Sequence, residues 1–391
     1  MYIKEITLKD FRNYKDLHTS FHPRVNIFLG KNAQGKTNLL EGIYLNAMAR
    51  SFKTTRDKDL IRFGEEFCRI HTVSKAFDEE METEILITKE GKKIIKIDGV
   101  KASKTSQLLE RIYIVIFSPE DLKIVKDEPE KRRRFIDREL CQIKPGYYSD
   151  LSSYKKVLKQ RNMYLKEREI DTSVLDIWDY ELARYGSRII RRREEFIKKI
   201  SEISSDIHQR ISGGLENLVI HYEANVPYSG WETTETEFYK ILENSREDDI
   251  RNRTTGHGPH KDDLKIEADG IDLRKFGSQG QQRTAALSLK LAEIELVKKL
   301  VKDYPILLLD DALSLKLSEI RLIEAETGEK PILLLDDVLS ELDNERQSYL
   351  ISSLGENQMF ITTADISGKV IRSMPEGKVF KIEKGTVEIE I

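Results

Sequence analysis

Gly30-Lys31-Asn32-Ala33-Gln34-Gly35-Lys36-Thr37 fits the phosphate-binding loop pattern G-x-x-x-x-G-K-[S/T] at every fixed position. Val25, Ile27 and Leu29 predict a buried strand running into it, and Leu39, Leu40, Ile43, Tyr44 and Ala47 recur at helical spacing after it. The chemistry needs that order. Glycines let backbone N–H groups close around a phosphate, and the following helix presents its positive end to the anion. Lys36 would reach the outer phosphates of a nucleotide, and the Thr37 hydroxyl would hold Mg²⁺.

Working outward, the 391 residues suffice for two or three domains. A formal net charge of −3 makes any nucleic-acid site a local patch rather than a bulk property. Charged residues reach 34%, with Glu and Lys in excess, which suits either thermophilic ion-pair networks or long solvated helices. Two cysteines, Cys68 and Cys141, are too few for a disulfide framework or a zinc site. No apolar run approaches membrane-spanning length, so the expectation is a cytoplasmic protein with no membrane partner.

Before the loop, Tyr2–Leu8 predicts an edge strand, and Phe11-Arg12-Asn13-Tyr14 a turn near the loop. Glu84–Thr88 and Ile94–Ile97 predict a hairpin, with Asp98-Gly99 turning next. The apolar run Ile112–Phe117 predicts a central strand. From about Asp121 to Ser212 the chain is charged and helical in period. Tyr147, Leu151, Tyr154, Leu158 and Leu165 on one side, and Leu175, Trp178, Leu182, Tyr185, Ile189, Phe196 and Ile203 on the other, suit a long antiparallel helical pair with a coiled-coil-like seam or, equally, an ordinary helical bundle. Leu218–Tyr222 reads as a strand, and Leu264–Ile266 with Ile271–Leu273 as a hairpin around Asp269-Gly270.

Two stretches then repeat 26 residues apart. Ala286-Leu287-Ser288-Leu289-Lys290-Leu291 recurs from Ala312, and Pro305-Ile306-Leu307-Leu308-Leu309-Asp310-Asp311 recurs as Pro331-Ile332-Leu333-Leu334-Leu335-Asp336-Asp337. A common offset across a helix and a strand marks tandem duplication of one helix–strand unit. Each Ile-Leu-Leu-Leu-Asp-Asp run reads as a Walker B strand, placed beside the strand that enters the loop. Its first Asp holds the Mg²⁺ shell and its second orients the attacking water. Only one copy fits the slot. The second runs directly into Val338-Leu339-Ser340-Glu341-Leu342-Asp343, so the expectation gives catalysis to Lys36, Asp336 and Asp337, with Thr37 and Asp336 on Mg²⁺. Asp310 and Asp311 are then the displaced duplicate.

In this order and spacing, Phe11–Tyr14, the phosphate loop, Ser118-Pro119-Glu120-Asp121-Leu122 and Arg132–Asp137 resemble the RecF family of DNA-repair ATPases, kin of the SMC and ABC-type ATPases. Gly258–Asp263, Ser278–Arg283 and Leu335–Asp343 continue the resemblance over nearly the whole chain. It implies an α/β, ABC-type P-loop ATPase head split in sequence, with an inserted, mostly helical arm. The parts are 1–117 (head, N-terminal half), 118–253 (arm) and 254–391 (head, C-terminal half). By the same resemblance Ser278, Gln279, Gly280 and Gln281 form a signature motif acting in trans, Ser340 and Asp343 a D-loop, and Thr362-Thr363 lies where relatives carry a switch residue. The implied activity is weak, DNA-stimulated hydrolysis of ATP with Mg²⁺, an ATP-dependent homodimer acting as its frame. DNA is the implied partner, single-stranded, double-stranded or gapped, in recombinational repair and replication restart. Recombination mediator proteins and the recombinase they load are further partners. The duplication departs from the family pattern. An ABC-type motor that does not act on DNA, or a chain inactivated by the duplication, are the alternatives.

Local support for DNA comes from Lys131-Arg132-Arg133-Arg134, Arg191-Arg192-Arg193 and the Lys155, Lys156, Lys159, Arg161 cluster; the competing reading is helix faces paired with nearby acids. His257 and His260 beside Asp262 and Asp263 read as a hydrogen-bonded turn rather than a metal site. Trp178 and Trp231 read as core or packing residues rather than base-stacking platforms.

Overall fold

The computed structural model describes residues 1–76, 79–109, 111–117, 121–212, 214–301, 305–309, 358–363 and 376–389. In chain order the strands and helices begin with β1 (Tyr2–Phe11), β2 (Tyr14–Ser20), β3 (Val25–Leu29), α1 (Lys36–Met48), β4 (Phe67–Ala76), β5 (Glu79–Thr88), β6 (Lys93–Ile97), β7 (Val100–Lys101), α2 (Ser106–Leu109) and β8 (Ile114–Phe117). Next come α3 (Leu122–Lys126), α4 (Pro129–Ile143), α5 (Pro145–Tyr164), α6 (Thr172–Ile211), β9 (Leu218–Glu223), α7 (Thr234–Asn244) and α8 (Arg246–Asn252). The rest are β10 (Asp263–Ala268), β11 (Ile271–Asp272), α9 (Leu273–Phe276), α10 (Gln279–Val301), β12 (Ile306–Leu309), β13 (Met359–Thr363), β14 (Gly377–Glu383) and β15 (Thr386–Ile389).

Two compact units result. The first takes the described residues of Met1–Asp121, Arg210–Gly214 and Lys290–Ile391; the second takes those of Leu122–Gln209 and Leu215–Leu289. The changeovers fall at 121/122, 209/210, 214/215 and 289/290. Residues 254–289, with the Ser278–Gln281 stretch, pack with the helices and β9–β11 because β10 pairs with β9 along its whole length.

The first unit holds two sheets. One is antiparallel, in the order β2-β1-β4-β5-β6-β7. β1 pairs on both sides, so Tyr2–Leu8 lies inside this sheet rather than at its edge. The other runs β15-β14-β3-β13-β12-β8, parallel from β14 through β8. Among the described residues β8, from the Ile112–Phe117 run for which a central strand is predicted, stands at the end of this order. Helix α1 packs against β1, β4 and β5 of one sheet and β13 of the other. Sandwiched in this way, it is buried nearly all round, and the side-chain amide of its polar Asn46 donates to the Thr72 hydroxyl and the Thr83 carbonyl. Phe21, Phe28, Phe360 and Phe380 form an aromatic cluster on the parallel sheet, with centroids 4.8–6.1 Å apart.

In the second unit α5 and α6 run antiparallel: Arg161 meets Asp179, while Tyr147 meets Arg193 at the opposite end. Asp98-Gly99 and Asp269-Gly270 make the predicted two-residue turns, with positive φ at both positions.

Candidate nucleotide site

β3 enters the sheet between β13 and β14, both parallel to it. Leu29 ends the strand, and Gly30 N–H donates to the Thr363 carbonyl at 3.2 Å. A Cβ at Gly30 would strike the Ile382 carbonyl of β14, so only glycine passes. The chain then reverses into α1 through Ala33 (φ +63°) and Gly35 (φ +122°). Gly35 is the N-cap and offers no side chain, which leaves the N–H groups of the first turn of α1 free of a capping oxygen. That is the donor-rich helix start an anion needs. Lys36 is 6% exposed, and its ammonium donates to the carbonyls of Gly30 and, at 3.2 Å, Lys31. The charge thus lies across the loop. Gly30–Thr37 thus carries the chain from the end of β3 into the first turn of α1.

Residues outside the motif hold it. The Asn13 amide donates to the Gln34 carbonyl at 2.9 Å, and the Tyr14 hydroxyl donates to the Gly35 carbonyl at 3.0 Å. Tyr14 is wholly buried, and burial pushes its phenol well above the ordinary range, so it remains a donor. Arg12 forks onto the buried Glu41 carboxylate of α1 at 2.7 and 2.8 Å, which ties the turn to the helix. The Phe11–Tyr14 turn was expected near the loop; its hydrogen bonds to the loop carbonyls were beyond periodicity, and only the polar Asn13 hinted at them.

The Walker B strand brings a difference. β12, the first copy, sits in the sheet between β13 and β8. Leu307, Leu308 and Leu309 align with Met359, Phe360 and Ile361. The first copy thus occupies this slot, and the second copy, Pro331–Asp337, lies outside the described residues. The strand also does not neighbour the strand that enters the loop, because β13 intervenes with Thr362 and Thr363 buried at its end. A parallel order of this kind is set by tertiary crossover connections, which a local apolar run does not encode. Asp310, Asp311, Asp336, Asp337, Ser340 and Asp343 lie outside the described residues.

The signature stretch belongs to the second unit. Ser278 Oγ accepts from Gln281 N–H at 3.2 Å, and the Gln281 side chain returns to Ser278 N–H at 2.9 Å, a reciprocal cap at the start of α10. Gln279 and Gly280 are exposed.

The basic runs are mostly absorbed internally. Arg132 is 1% exposed and forks onto Asp263 at 2.5 and 3.0 Å, so it is withdrawn from any DNA contact. Arg133 donates to the Asp262 carbonyl at 2.7 Å, and Arg134 pairs with Glu130 on the helix surface. Arg193 is buried between Asp137 and Asp262, and Arg161 between Asp179 and Asp249. His260 uses both ring nitrogens, Nδ1 with the Tyr154 hydroxyl at 2.7 Å and Nε2 with the Thr255 carbonyl at 3.1 Å. Trp231 is 38% exposed and stacked on Tyr228, so it is a surface ring rather than a core one.

A phosphate loop between a parallel strand and a buried helix, backed by an antiparallel sheet, defines an ABC-type ATPase head. The RecF/RecN/SMC N terminal domain family matches residues 2–386. The chain belongs to the RecF family: it is 42% identical over 390 residues to the DNA replication and repair protein RecF of Clostridioides difficile (strain 630), covering 99% of this chain and 98% of the relative. That of Bacillus cytotoxicus is 41% identical over 397 residues, covering 100% and 99%. A solved structure of the recombination mediator protein RecF with ATP, in the RecFOR pathway, matches with a TM-score of 0.86 at 35% identity, covering 100% of this chain and 98% of that one. An SMC head bound to the C-terminal winged-helix domain of ScpA matches at TM-score 0.50 and 16% identity, a likeness of fold alone.

Proposed function

We propose that this protein is a weak, DNA-stimulated ATPase of recombinational repair and replication restart. ATP joins two copies head to tail, and the dimer binds single-stranded, double-stranded or gapped DNA and, with mediator proteins, helps load a recombinase. The observation that carries the reading is the loop itself: its backbone is preshaped, and Lys36 lies across it. The solved relative described with ATP supports the choice of nucleotide.

In hydrolysis a water oxygen bonds to the γ-phosphorus, the bond to the β,γ-bridging oxygen breaks, and the water's proton passes to a carboxylate. Lys36 trades its loop carbonyls for the outer phosphate oxygens and neutralises charge that grows there. Thr37 and the first Asp of one Asp-Asp pair would hold Mg²⁺, which supplies charge neutralisation when bound. The second Asp orients the water. The seat of β12 favours Asp310 and Asp311 for these two roles, whereas continuity with Ser340–Asp343 favours Asp336 and Asp337. From the second copy, Ser278 and the Gly280 backbone complete the site. ATP at the interface stabilises the assembly by linkage, and its loss releases it.

A motor that does not act on DNA draws support from the internal pairing of Arg132, Arg161 and Arg193. Four measurements test the whole reading: hydrolysis with and without DNA, DNA affinity against salt, sedimentation with ATP, and the same assays on variants. DNA should raise the rate, affinity should fall steeply with salt, and ATP should shift the protein towards dimer. Lys36→Ala should abolish hydrolysis, and Asp310→Asn should abolish it while Asp336→Asn retains it. The opposite pattern hands the roles to Asp336 and Asp337. Salt-indifferent binding without stimulation overturns the DNA reading.

A further inference from the structure

The phosphate loop is gripped from outside by two turns that come from opposite ends of the sequence. Gln34 is the point of grip. Its backbone carbonyl accepts from the Asn13 amide at 2.9 Å and from Gly385 N–H at 3.1 Å. Its side-chain carbonyl accepts from Lys384 N–H at 2.8 Å. Asn13 is held in turn, its Oδ1 accepting from the Asn38 amide at 2.8 Å. All of these residues belong to the first unit.

The fit leaves no slack. A Cβ on Gly385 would lie 2.5 Å from the Asn13 carbonyl oxygen, and one on Gly35 would lie 2.5 Å from Asn13 Nδ2 and 3.0 Å from the Tyr14 hydroxyl. The β14–β15 turn is also built unusually. Lys384 (φ +48°) and Gly385 (φ +80°) repeat the geometry of Asp98-Gly99 and Asp269-Gly270, but a lysine stands where the other two carry aspartate. Asn and Asp tolerate that conformation best. Here the strained residue directs its N–H to Gln34. On the other side of the grip, Ala33 and Gly35 flank Gln34 with positive φ, and at Ala33, which carries a Cβ, that backbone persists only when its surroundings over-determine it.

We propose that Asn13 and the Lys384–Gly385 turn form a clamp on Gln34 that holds the phosphate loop in its nucleotide-receiving shape, so that residues 383–386 are part of the nucleotide site. Asn13 is a positioning residue: it acts on phosphate through the loop backbone. A loop already shaped binds its anion without losing conformational freedom at that moment, so the clamp acts on affinity. The proposal rests on the assignment of this loop as the ATP site, and the test separates the two.

The full-length protein is compared with Asn13→Ala, Gly385→Ala, Lys36→Ala and Gly91→Ala, reading the Kd of a fluorescent ATP analogue and the KM and kcat of hydrolysis. Gly91 is the control. It sits at φ +84° in the β5–β6 turn with nothing within 4 Å of an added Cβ, so it carries the same backbone strain as Gly385 without touching the loop. Asn13→Ala and Gly385→Ala should weaken nucleotide binding on the order of ten-fold, with KM rising more than kcat falls, while Gly91→Ala binds as wild type. Asn13→Ala removes one partly exposed amide, so it reports even if Gly385→Ala does not fold. If Lys36→Ala loses the nucleotide while both clamp variants bind like Gly91→Ala, the clamp is overturned and the site stands. If Lys36→Ala binds like wild type, the site assignment falls and the clamp with it.

Discussion

His260 shows how one side chain makes stability depend on pH. Burial first of all lowers its pKa to about 4; Lys261, Arg133 and Arg193 add to this, while the bond to the Thr255 carbonyl opposes it. The unfolded chain protonates histidine near 6.5, so between 6.5 and 4 the unfolded state binds more protons. The contribution is complete above the upper value and is lost as pH falls towards the lower. Both tryptophans, Trp178 and Trp231, lie in the second unit with His260, so their fluorescence follows its unfolding. Between pH 7 and 4.5, wild type should lose roughly 2 kcal/mol more than His260→Asn in urea titrations. Equal losses would show that His260 titrates normally. The buried arginines tell a related story. Arg132 stands three and four positions before Phe135 and Ile136, Arg161 stands between Tyr154 and Leu165 at helical spacing, and Arg193 between Ile189 and Phe196. Each lies on the apolar stripe of its helix, so its burial was legible from periodicity. Reading the basic runs by charge alone hid it.

At the scale of elements, helix α6 bends a familiar rule. Gly186 sits in its middle, where alanine ordinarily improves a helix by about 1 kcal/mol. A Cβ there would run into the Phe238 ring of α7 and reach Tyr154 Cε2 at 3.3 Å. Overpacking should win: Gly186→Ala should lower the second unit's stability by about 1–3 kcal/mol, seen as a lower melting temperature by tryptophan fluorescence. A raised melting temperature would mean that α7 yields easily. What sequence conveyed about elements followed from local physics. The strand–loop–helix at 25–48, the Asp-Gly turns and the helical pair were readable because each is fixed by neighbouring residues. Strand order was not. β13 beside β3 follows from a pairing across 334 residues (Val25 with Met359), and β1 inside its sheet from its pairing with β4, as in Tyr2 with Lys75. The two Ile-Leu-Leu-Leu copies are identical, so no apolar contact in the slot distinguishes them.

The whole molecule carries a duplicated unit whose first strand copy, β12, is seated in the sheet between β13 and β8. Removing residues 303–328 leaves a single Pro-Ile-Leu-Leu-Leu-Asp-Asp run. With the competition gone, the shortened protein should melt at a temperature at least equal to the full chain and hydrolyse ATP at least as fast. A lower melting temperature together with lost hydrolysis would show that the repeated segment is itself structural. Among the described helices none is long and apolar enough to cross a membrane.

The clamp on Gln34 sets a timetable for synthesis. The phosphate loop leaves the ribosome early, yet both strands that flank β3 come from residues 359–383, and the turn that closes on Gln34 follows them. Such sequence-distant pairings form slowly. Until they form, the strand bearing the loop has no sheet around it, so the nascent chain should gain ATP affinity only when residues 377–389 have emerged. Nucleotide thereby becomes a check on finished folding: ligand that binds the native head alone stabilises the completed protein and leaves the partial chain untouched.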